Sequence, residues 1–270
     1  MSIDQRLIPA LQEILPVGNT HQRAYLIGGQ ALRDLATAWS ARIGLDLPSV
    51  RASEDIDVLL SVGNDADADR ALAGVLRDFW SLKPDRPATY CWRRDPSVEL
   101  ELATTYGPHD QPARAVRISM AGTGRILAYR MLPLWLHDLN LIEPCSGDHL
   151  RRIGLERLRH TALLISKVLA VDATLTAMAM PAPPGWVTRL DRDLGDILLL
   201  TDRRVQPGLW CVASTAKRSV LEEHIGPVLE RLIAWAGNPP AMASSRAREQ
   251  LRMVTDGHAL WWRRRHGPGG

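Results

Sequence analysis

Residues 24–32 read AYLIGGQAL, and residues 53–60 read SEDIDVLL. In the first segment a short apolar run ends at Gly28 and Gly29, and apolar residues at helical spacing follow. This pattern predicts a strand, a tight glycine turn and a helix. In the second segment branched apolar residues follow Ser53 and precede a Gly-Asn pair, which is typical of a buried strand. The two segments together predict a sheet in which a helix begins where one strand ends.

Asp55 and Asp57 are two residues apart at the start of the second strand, so their carboxylates point to the same face. Adjacent carboxylates repel each other, and a divalent cation relieves that repulsion. Mg²⁺ (or Mn²⁺) suits such a pair because it takes one or two carboxylates together with phosphate oxygens and water. A DxD pair alone also occurs on surface strands and in calcium loops.

The Gly28-Gly29 turn strengthens the interpretation of the two aspartates. Glycine lets a phosphate approach the backbone closely, and the start of a helix offers N–H groups to an anion. By itself the turn is also an ordinary strand-to-helix connection. Taken with Asp55 and Asp57, it predicts a site for metal and phosphate.

The rest of the chain predicts an α+β fold, in which a small mixed sheet with flanking helices is followed by a helical domain. We place the division between two domains, residues 1–131 and residues 132–270. The predicted elements are helices at 3–15 and 67–79, strands at 88–92, 98–103 and 115–120, and helices at 150–171, 186–200 and 220–235.

Composition limits the classes of protein to which the chain can belong. The chain has 270 residues, of which 46% are apolar and 23% charged, and this balance predicts a globular protein rather than a disordered one. Charges interrupt every apolar run, so no membrane helix is predicted, and without a signal-peptide pattern we expect a cytoplasmic protein. The three cysteines and eight histidines show no zinc-ligand spacing.

A third carboxylate would complete the chemistry that Asp55 and Asp57 suggest, because an attacking hydroxyl must lose a proton. Glu99 and Glu101 alternate with apolar residues in a predicted strand and share one face. Glu101 is favoured because it lies deeper in the strand. The same pattern is typical of the solvent-facing edge of a half-buried strand, so both glutamates stay candidates.

The two motifs resemble those of the nucleotidyltransferase superfamily, and within it the AbiEii-type group, which includes toxins of type IV toxin/antitoxin systems. That group's pattern, GG-x-A-L and then [ST]-x-D-[IL]-D, is matched at residues 28–32 and 53–57. The resemblance covers about the first 60 residues well. It implies that Asp55 and Asp57 hold the metal, while Gly28, Gly29 and Ser53 contact the phosphates of a nucleoside triphosphate. Ser53 is equally suited to capping the turn.

A later segment resembles the same group more loosely. The group has a lysine on one helix and a [KR]-D-x-x-D-[LI] run on the next, and here Lys167 is followed by RDLGDI at 192–197. The resemblance implies that Lys167 binds the nucleotide's phosphates and that Asp193 or Asp196 orients it or contacts the acceptor. Without the resemblance, a solvated lysine and a network of helix salt bridges is the simpler interpretation.

The resemblance implies transfer of a nucleoside monophosphate to a macromolecule, a tRNA end or a protein side chain, by a toxin with a cognate antitoxin. A small-molecule acceptor, as in aminoglycoside nucleotidyltransferases, is the first alternative, and an inactive binding protein with the same fold is the second. A basic stripe at residues 151–160, predicted on one helix, and the WWRRRH segment at 261–266 favour RNA. Such a stripe is also typical of a solvated helix face.

Overall fold

The computed structural model describes residues 7–21, 24–43, 55–60, 66–84, 86, 88–104, 116–121, 125–131, 142–144, 150, 152–179, 185–201 and 218–266. The chain divides into two compact units, Met1–Leu163 and Leu164–Gly270. No helix in the described ranges is long and apolar enough to cross a membrane.

The first unit combines strands with three complete helices among its described residues. The helices are α1 (Leu7–His21), α2 (Gly28–Ile43) and α3 (Ala66–Phe79), and α4 (His160–Met178) begins in this unit. The strands are β1 (Ala24–Ile27), β2 (Asp55–Leu60), β3 (Trp80–Leu82), β4 (Thr89–Trp92), β5 (Glu99–Thr104), β6 (Val116–Ala121), β7 (Arg125–Met131), β8 (Ile142–Pro144) and β9 (Glu156–Leu158).

These strands form one mixed sheet in the order β3-β4-β5-β2-β1-β9-β8, and β7 pairs with β5 and β6. At its centre, β2 runs antiparallel to β1 and parallel to β5. The α+β prediction is confirmed, and the predicted strands at 88–92, 98–103 and 115–120 correspond to β4, β5 and β6. The sheet is larger than predicted because β3, β7, β8 and β9 also join it.

One face of the central strands supplies much of the first unit's core. Leu26, Ile56, Val58, Leu100 and Leu102 are fully buried. They alternate along their strands with residues of the opposite face, as the two-residue period of a strand requires. The strand pattern that fills the core therefore also sends Asp55, Asp57, Glu99 and Glu101 to the other face.

The predicted helix at 150–171 is wrong over residues 153–159, which are not helical, whereas residues 150 and 152 are. Strand β9 occupies Glu156–Leu158, and the helix begins at His160 and continues to Met178. β9 runs parallel to β1, with Leu26 opposite Arg157, and antiparallel to β8. Pairing on both sides satisfies the backbone of β9, and such tertiary context overrides local helical spacing.

The second unit is helical in its described residues. It contains the rest of α4 together with α5 (Trp186–Leu200), α6 (Arg218–Gly237) and α7 (Ser245–His266), and the helices predicted at 186–200 and 220–235 correspond to α5 and α6. α7 packs against both α5 and α6. The division between the units falls at Leu163 rather than at the predicted residue 131, because β8 and β9 pair within the sheet of the first unit.

Candidate active site

The glycine turn and the aspartate pair meet in the structure. Gly28 is the first residue of α2 and has a φ of +66°, a backbone conformation that favours glycine. A Cβ placed on Gly28 would lie 1.8 Å from Oδ2 and 2.6 Å from Cγ of Asp57. The Asp57 carboxylate therefore lies directly against the backbone at the start of α2, in space that any other residue type would fill.

The strand register explains how Asp57 reaches the turn. Ile27, the last residue of β1, is paired with Asp57 on β2, so the chain enters α2 beside that aspartate. Asp55, two residues earlier on β2, shares the face of Asp57. Both aspartates and both residues of the glycine pair are half-buried, so the arrangement lies at the surface of the first unit.

Strand β5 adds two more carboxylates to this face. In the parallel register Glu99 is paired with Asp55, and Glu101 with Asp57. Residues paired across neighbouring strands point to the same side of a sheet, so the four acids form two rows on one face. We call these four residues the carboxylate face. Glu101, rather than Glu99, neighbours the aspartate that contacts Gly28.

The two glutamates differ in their surroundings. Lys83 Nζ donates a hydrogen bond to Glu99 Oε1, and Arg86 Nη1 donates one to Glu99 Oε2 at 2.5 Å. The Glu99 side chain is 15% exposed, whereas Lys83 and Arg86 are 28% and 44% exposed. The hydrogen bond to Glu99 raises the pKa of Lys83 above its usual value, so the lysine stays charged. Both oxygens of Glu99 are thus engaged by cations.

Asp55 and Asp57 have the chemistry of a hard-cation site. Their oxygens suit Mg²⁺ or Mn²⁺, and the missing side chain at Gly28 leaves room for the Asp57 carboxylate at the start of a helix. In the part of the chain that the structure describes, no three His, Cys, Asp or Glu side chains form a group that could hold an ion. The protein's share of such a site is therefore the aspartate pair, and phosphate oxygens and water would supply the other ligands.

Ser53, the remaining first-unit residue that the motif predicts to contact phosphate, lies outside the described residues. Gly29 is the second residue of α2 and has no positive φ. Of the glycine pair, Gly28 is therefore the one whose conformation and contact with Asp57 both require glycine. The sequence anticipated a close approach at this turn, and in the structure the approaching group is a carboxylate.

The predicted lysine and its two aspartates meet in the second unit. Lys167 Nζ on α4 lies 2.9 Å from Asp193 Oδ1 and 2.6 Å from Asp196 Oδ2, both on α5. Asp193 also lies 3.7 Å from Arg189 Nε and 3.8 Å from Arg192 Nε. We call these five residues the lysine cluster. It contains both the predicted contact of lysine with aspartate and the predicted pairing of Asp193 with Arg189.

The centre of the lysine cluster is largely removed from solvent, with side-chain exposures of 12% for Lys167 and 2% for Asp193. Its two arginines are more exposed, at 36% for Arg189 and 40% for Arg192. Burial lowers the pKa of Lys167, but the attraction of both aspartates outweighs it and raises that pKa above its usual value. Burial likewise opposes ionisation of Asp193, yet Lys167 holds the pKa of Asp193 below its usual value. For Asp196, burial dominates and raises the pKa. Lys167 is thus a fixed cation at neutral pH.

The predicted basic stripe does not lie on one helix. Arg157 is in β9, is 4% exposed, and forms an ion pair with Asp34 of α2, with Nε 2.8 Å from Oδ2. His160 is buried, and its ring packs edge-on against Trp39 at a centroid distance of 4.9 Å. These two side chains stabilise the first unit from inside it. The continuous helical stripe that favoured RNA binding is therefore not formed, although Arg152 and Arg159 are exposed.

Lys83 and Arg86 are residues that sequence reasoning missed. They follow the three-residue strand β3, and their partner Glu99 is 16 and 13 residues further along the chain. Strand β4 brings them together, because it pairs with both β3 and β5. The sequence analysis did not predict β3 or its antiparallel pairing with β4, and that pairing is the signal that would have placed these cations beside Glu99.

No family model matches the chain. No curated protein matches it either. Among solved structures, the chain is similar to the antibiotic-resistance factor ANT(2'')-Ia, for which substrate-regulated conformation dynamics were described in solution. The identity is 16%, the likeness covers 83% of this chain and 100% of that chain, and the TM-score is 0.33. A likeness this distant decides neither the reaction nor the substrate of the present chain.

Proposed function

We propose that this protein is a metal-dependent nucleotidyltransferase, which moves a nucleoside monophosphate from a nucleoside triphosphate to an acceptor hydroxyl. The observation that carries the proposal is the Asp57 carboxylate, which lies against Gly28 at the start of α2 and shares a face with Asp55. This arrangement brings a pair of hard ligands beside backbone N–H groups that suit phosphate oxygens. A triphosphate with its divalent ion complements this site, because the carboxylates attract the ion and the N–H groups donate to the phosphate oxygens.

Each residue has a defined task in the reaction. Asp55 and Asp57 would hold the Mg²⁺ or Mn²⁺, and the backbone at Gly28 and Gly29 would hold phosphate oxygens. Glu101 would accept the proton of the acceptor hydroxyl. That oxygen forms a bond to the α-phosphorus while the bond from this phosphorus to the bridging oxygen breaks, and pyrophosphate leaves. When bound by Asp55 and Asp57, the ion would neutralise charge on the triphosphate.

Lys167 is proposed to bind phosphate oxygens, on the strength of the motif resemblance. Its ammonium group has three N–H donors, and the contacts with Asp193 and Asp196 use two of them. In the part of the chain that the structure describes, these contacts leave one donor, which we assign to a substrate oxygen. The two aspartates would act by fixing the position of the ammonium group, which is the arrangement expected of a preorganised cation.

For the acceptor we propose a macromolecule, a tRNA or a protein, and for the biological role a toxin restrained by a cognate antitoxin. The support is the match of residues 28–32 and 53–57 to the AbiEii-type pattern. An aminoglycoside-like small molecule would need an acidic acceptor surface, and RNA a basic one. The assay that tests the reaction also tests which of these acceptors receives the nucleotide.

The assay incubates the purified protein with Mg²⁺ and each α-labelled nucleoside triphosphate in turn, together with total RNA, total protein or an aminoglycoside. Label on RNA or protein supports the full proposal, and label on the aminoglycoside alone replaces the macromolecular acceptor with a small molecule. Absence of label on every acceptor contradicts nucleotidyl transfer and favours an inactive binding protein. Label that persists in Asp57→Asn contradicts the assignment of the site.

A further inference from the structure

The two glutamates of β5 have the same chemistry but different neighbours. Glu99 is paired with Asp55 and Glu101 with Asp57, so each glutamate has one of the two aspartates as its neighbour on the adjacent strand. In the described residues no three acids form a group that could hold an ion, but a Glu99 side chain released from its partners would lie beside Asp55 and offer such an ion a different set of carboxylates. A site that performs one reaction needs a single arrangement, and a residue that removes the competing carboxylate would provide it.

Lys83 and Arg86 have the geometry for that task. They donate to different oxygens of Glu99, so neither oxygen is left with only water around it. Their charges outnumber that of Glu99, and a carboxylate paired with two cations is a poor ligand for a third. The contacts come from the connection between β3 and β4, on the side of β5 away from β2.

We propose that Lys83 and Arg86 are positioning residues, which bind Glu99 so that β5 contributes Glu101 alone to the chemistry of the aspartate pair. This inference rests on the proposed function. Glu101 is then the third carboxylate of the reaction, and Glu99 is the residue that binds the two cations. The competing interpretation is that the two ion pairs only fasten the β3–β4 connection to β5.

Binding of Mn²⁺ alone, followed by electron paramagnetic resonance, separates the two interpretations. In Lys83→Met/Arg86→Met, Glu99 becomes available beside Asp55, and we expect Mn²⁺ to bind about tenfold more tightly because ligand charge sets affinity in such sites. Adding Glu99→Gln to this double variant removes the released carboxylate. The triple variant should return to within about twofold of the wild-type Kd.

The rescue by Glu99→Gln is the readout that a structural role would not produce. If the contacts only fasten the connection, the triple variant lacks them as well and behaves like the double variant. A Kd for Mn²⁺ that is unchanged or weaker in the double variant overturns the inference. Where transfer activity is measurable, kcat should fall by about tenfold in the double variant and recover in the triple variant, with the KM for nucleotide changing less.

A second measurement applies if the double variant does not fold. Glu99→Gln alone should bind Mn²⁺ within about twofold of wild type, whereas a Kd that is about tenfold weaker would show that Glu99 is a ligand and would overturn the inference. Asp57→Asn separates this inference from the proposed function. If wild type and Asp57→Asn bind Mn²⁺ equally, the metal site itself fails, and if only the Lys83 and Arg86 effects are absent, the positioning role fails.

Discussion

The carboxylate face and the lysine cluster use the same kinds of residue in opposite ways. On the face, four acids of β2 and β5 share one side of the sheet, and Asp57 is held against Gly28. In the cluster, Lys167 lies within 3 Å of two carboxylates and is 12% exposed. Four like charges share the carboxylate face, where Glu99 is also paired with Lys83 and Arg86, whereas every acid of the lysine cluster is paired with a cation.

The difference predicts which of the two regions would bind a cation. Gathered carboxylates repel each other, and a bound cation relieves the repulsion. Paired opposite charges already compensate each other, and removing one partner leaves a buried charge alone. The carboxylate face is therefore where a divalent ion is expected, while the lysine cluster should matter to folding even when no substrate is present.

The largest effect is expected from Asp57→Asn, which keeps the shape of the side chain and removes its charge. The variant loses a ligand at the point where the aspartate meets the helix start, so transfer should fall by at least about 10³-fold, or about 4 kcal/mol. The measurement is kcat/KM for label transfer. A loss of less than about tenfold would show that the ion does not depend on Asp57.

Asp78→Asn is the matched control for this variant. Asp78 is on α3, its side chain is 48% exposed, and it pairs with its neighbour Arg77. The substitution changes net charge by the same amount at an unrelated surface position. Its transfer rate should stay within about twofold of wild type, since exposed ion pairs contribute little.

Lys167→Met is expected to destabilise the protein even without substrate. It leaves Asp193, which is 2% exposed, without its closest cation, and breaking a buried pair in this way costs about 3 kcal/mol. The measurement is the free energy of unfolding in urea, followed by circular dichroism. Lys83→Met serves as the control, because its partner Glu99 keeps Arg86 and a partly exposed pair is worth less than about 1 kcal/mol.

The effect of Lys167→Met should also depend on pH. The folded-state pKa of Lys167 is raised, so its contribution to stability is fully present below the unfolded value of about 10.4 and is lost as pH rises through the folded value. The free-energy gap between wild type and Lys167→Met should therefore narrow above about pH 10.4. A gap that stays constant to about pH 11 would mean that the ammonium charge is not what stabilises the cluster.

Gly28→Ala tests the contact that carries the proposed function. The new methyl group would lie 1.8 Å from Oδ2 of Asp57, and the φ of +66° adds strain for alanine. A displacement of the carboxylate by about 1 Å should lower kcat by about 10²-fold. Gly74→Ala is the control, because Gly74 is within α3 and nothing lies within 4 Å of its added Cβ. It should leave kcat near wild type and raise stability by up to about 1 kcal/mol.

The local structure of these two regions could be predicted from the sequence. The strand, glycine turn and helix at residues 24–32 were predictable because apolar period and glycine position are properties of neighbouring residues. The spacing of Asp55 and Asp57 fixed their common face for the same reason. The grouping of Lys167 with Asp193 and Asp196 was predicted from a family resemblance. In the structure Lys167 contacts both aspartates.

The pairing of segments that are distant along the chain could not be predicted from the sequence. The register between β2 and β5 decides whether Glu99 or Glu101 neighbours Asp57, and a shift of one residue would have turned both glutamates to the other face. Strand β9 was predicted as helix because its pairing with β1 involves residues more than a hundred positions away. The missed roles of Lys83 and Arg157 have this same origin, since each bonds a partner on another element.

The smallest expected effect is the stabilisation by Mg²⁺ without nucleotide, and it separates the two regions most directly. With a Kd of about 1 mM, 10 mM Mg²⁺ would stabilise the wild type by about 1.4 kcal/mol and raise Tm by about 3 °C. The rise should persist in Asp78→Asn and vanish in Asp57→Asn, because only the latter alters the gathered carboxylates. An equal rise in both variants would place the ion elsewhere on the protein. The carboxylate face would then be a group of neighbouring acids that binds no Mg²⁺.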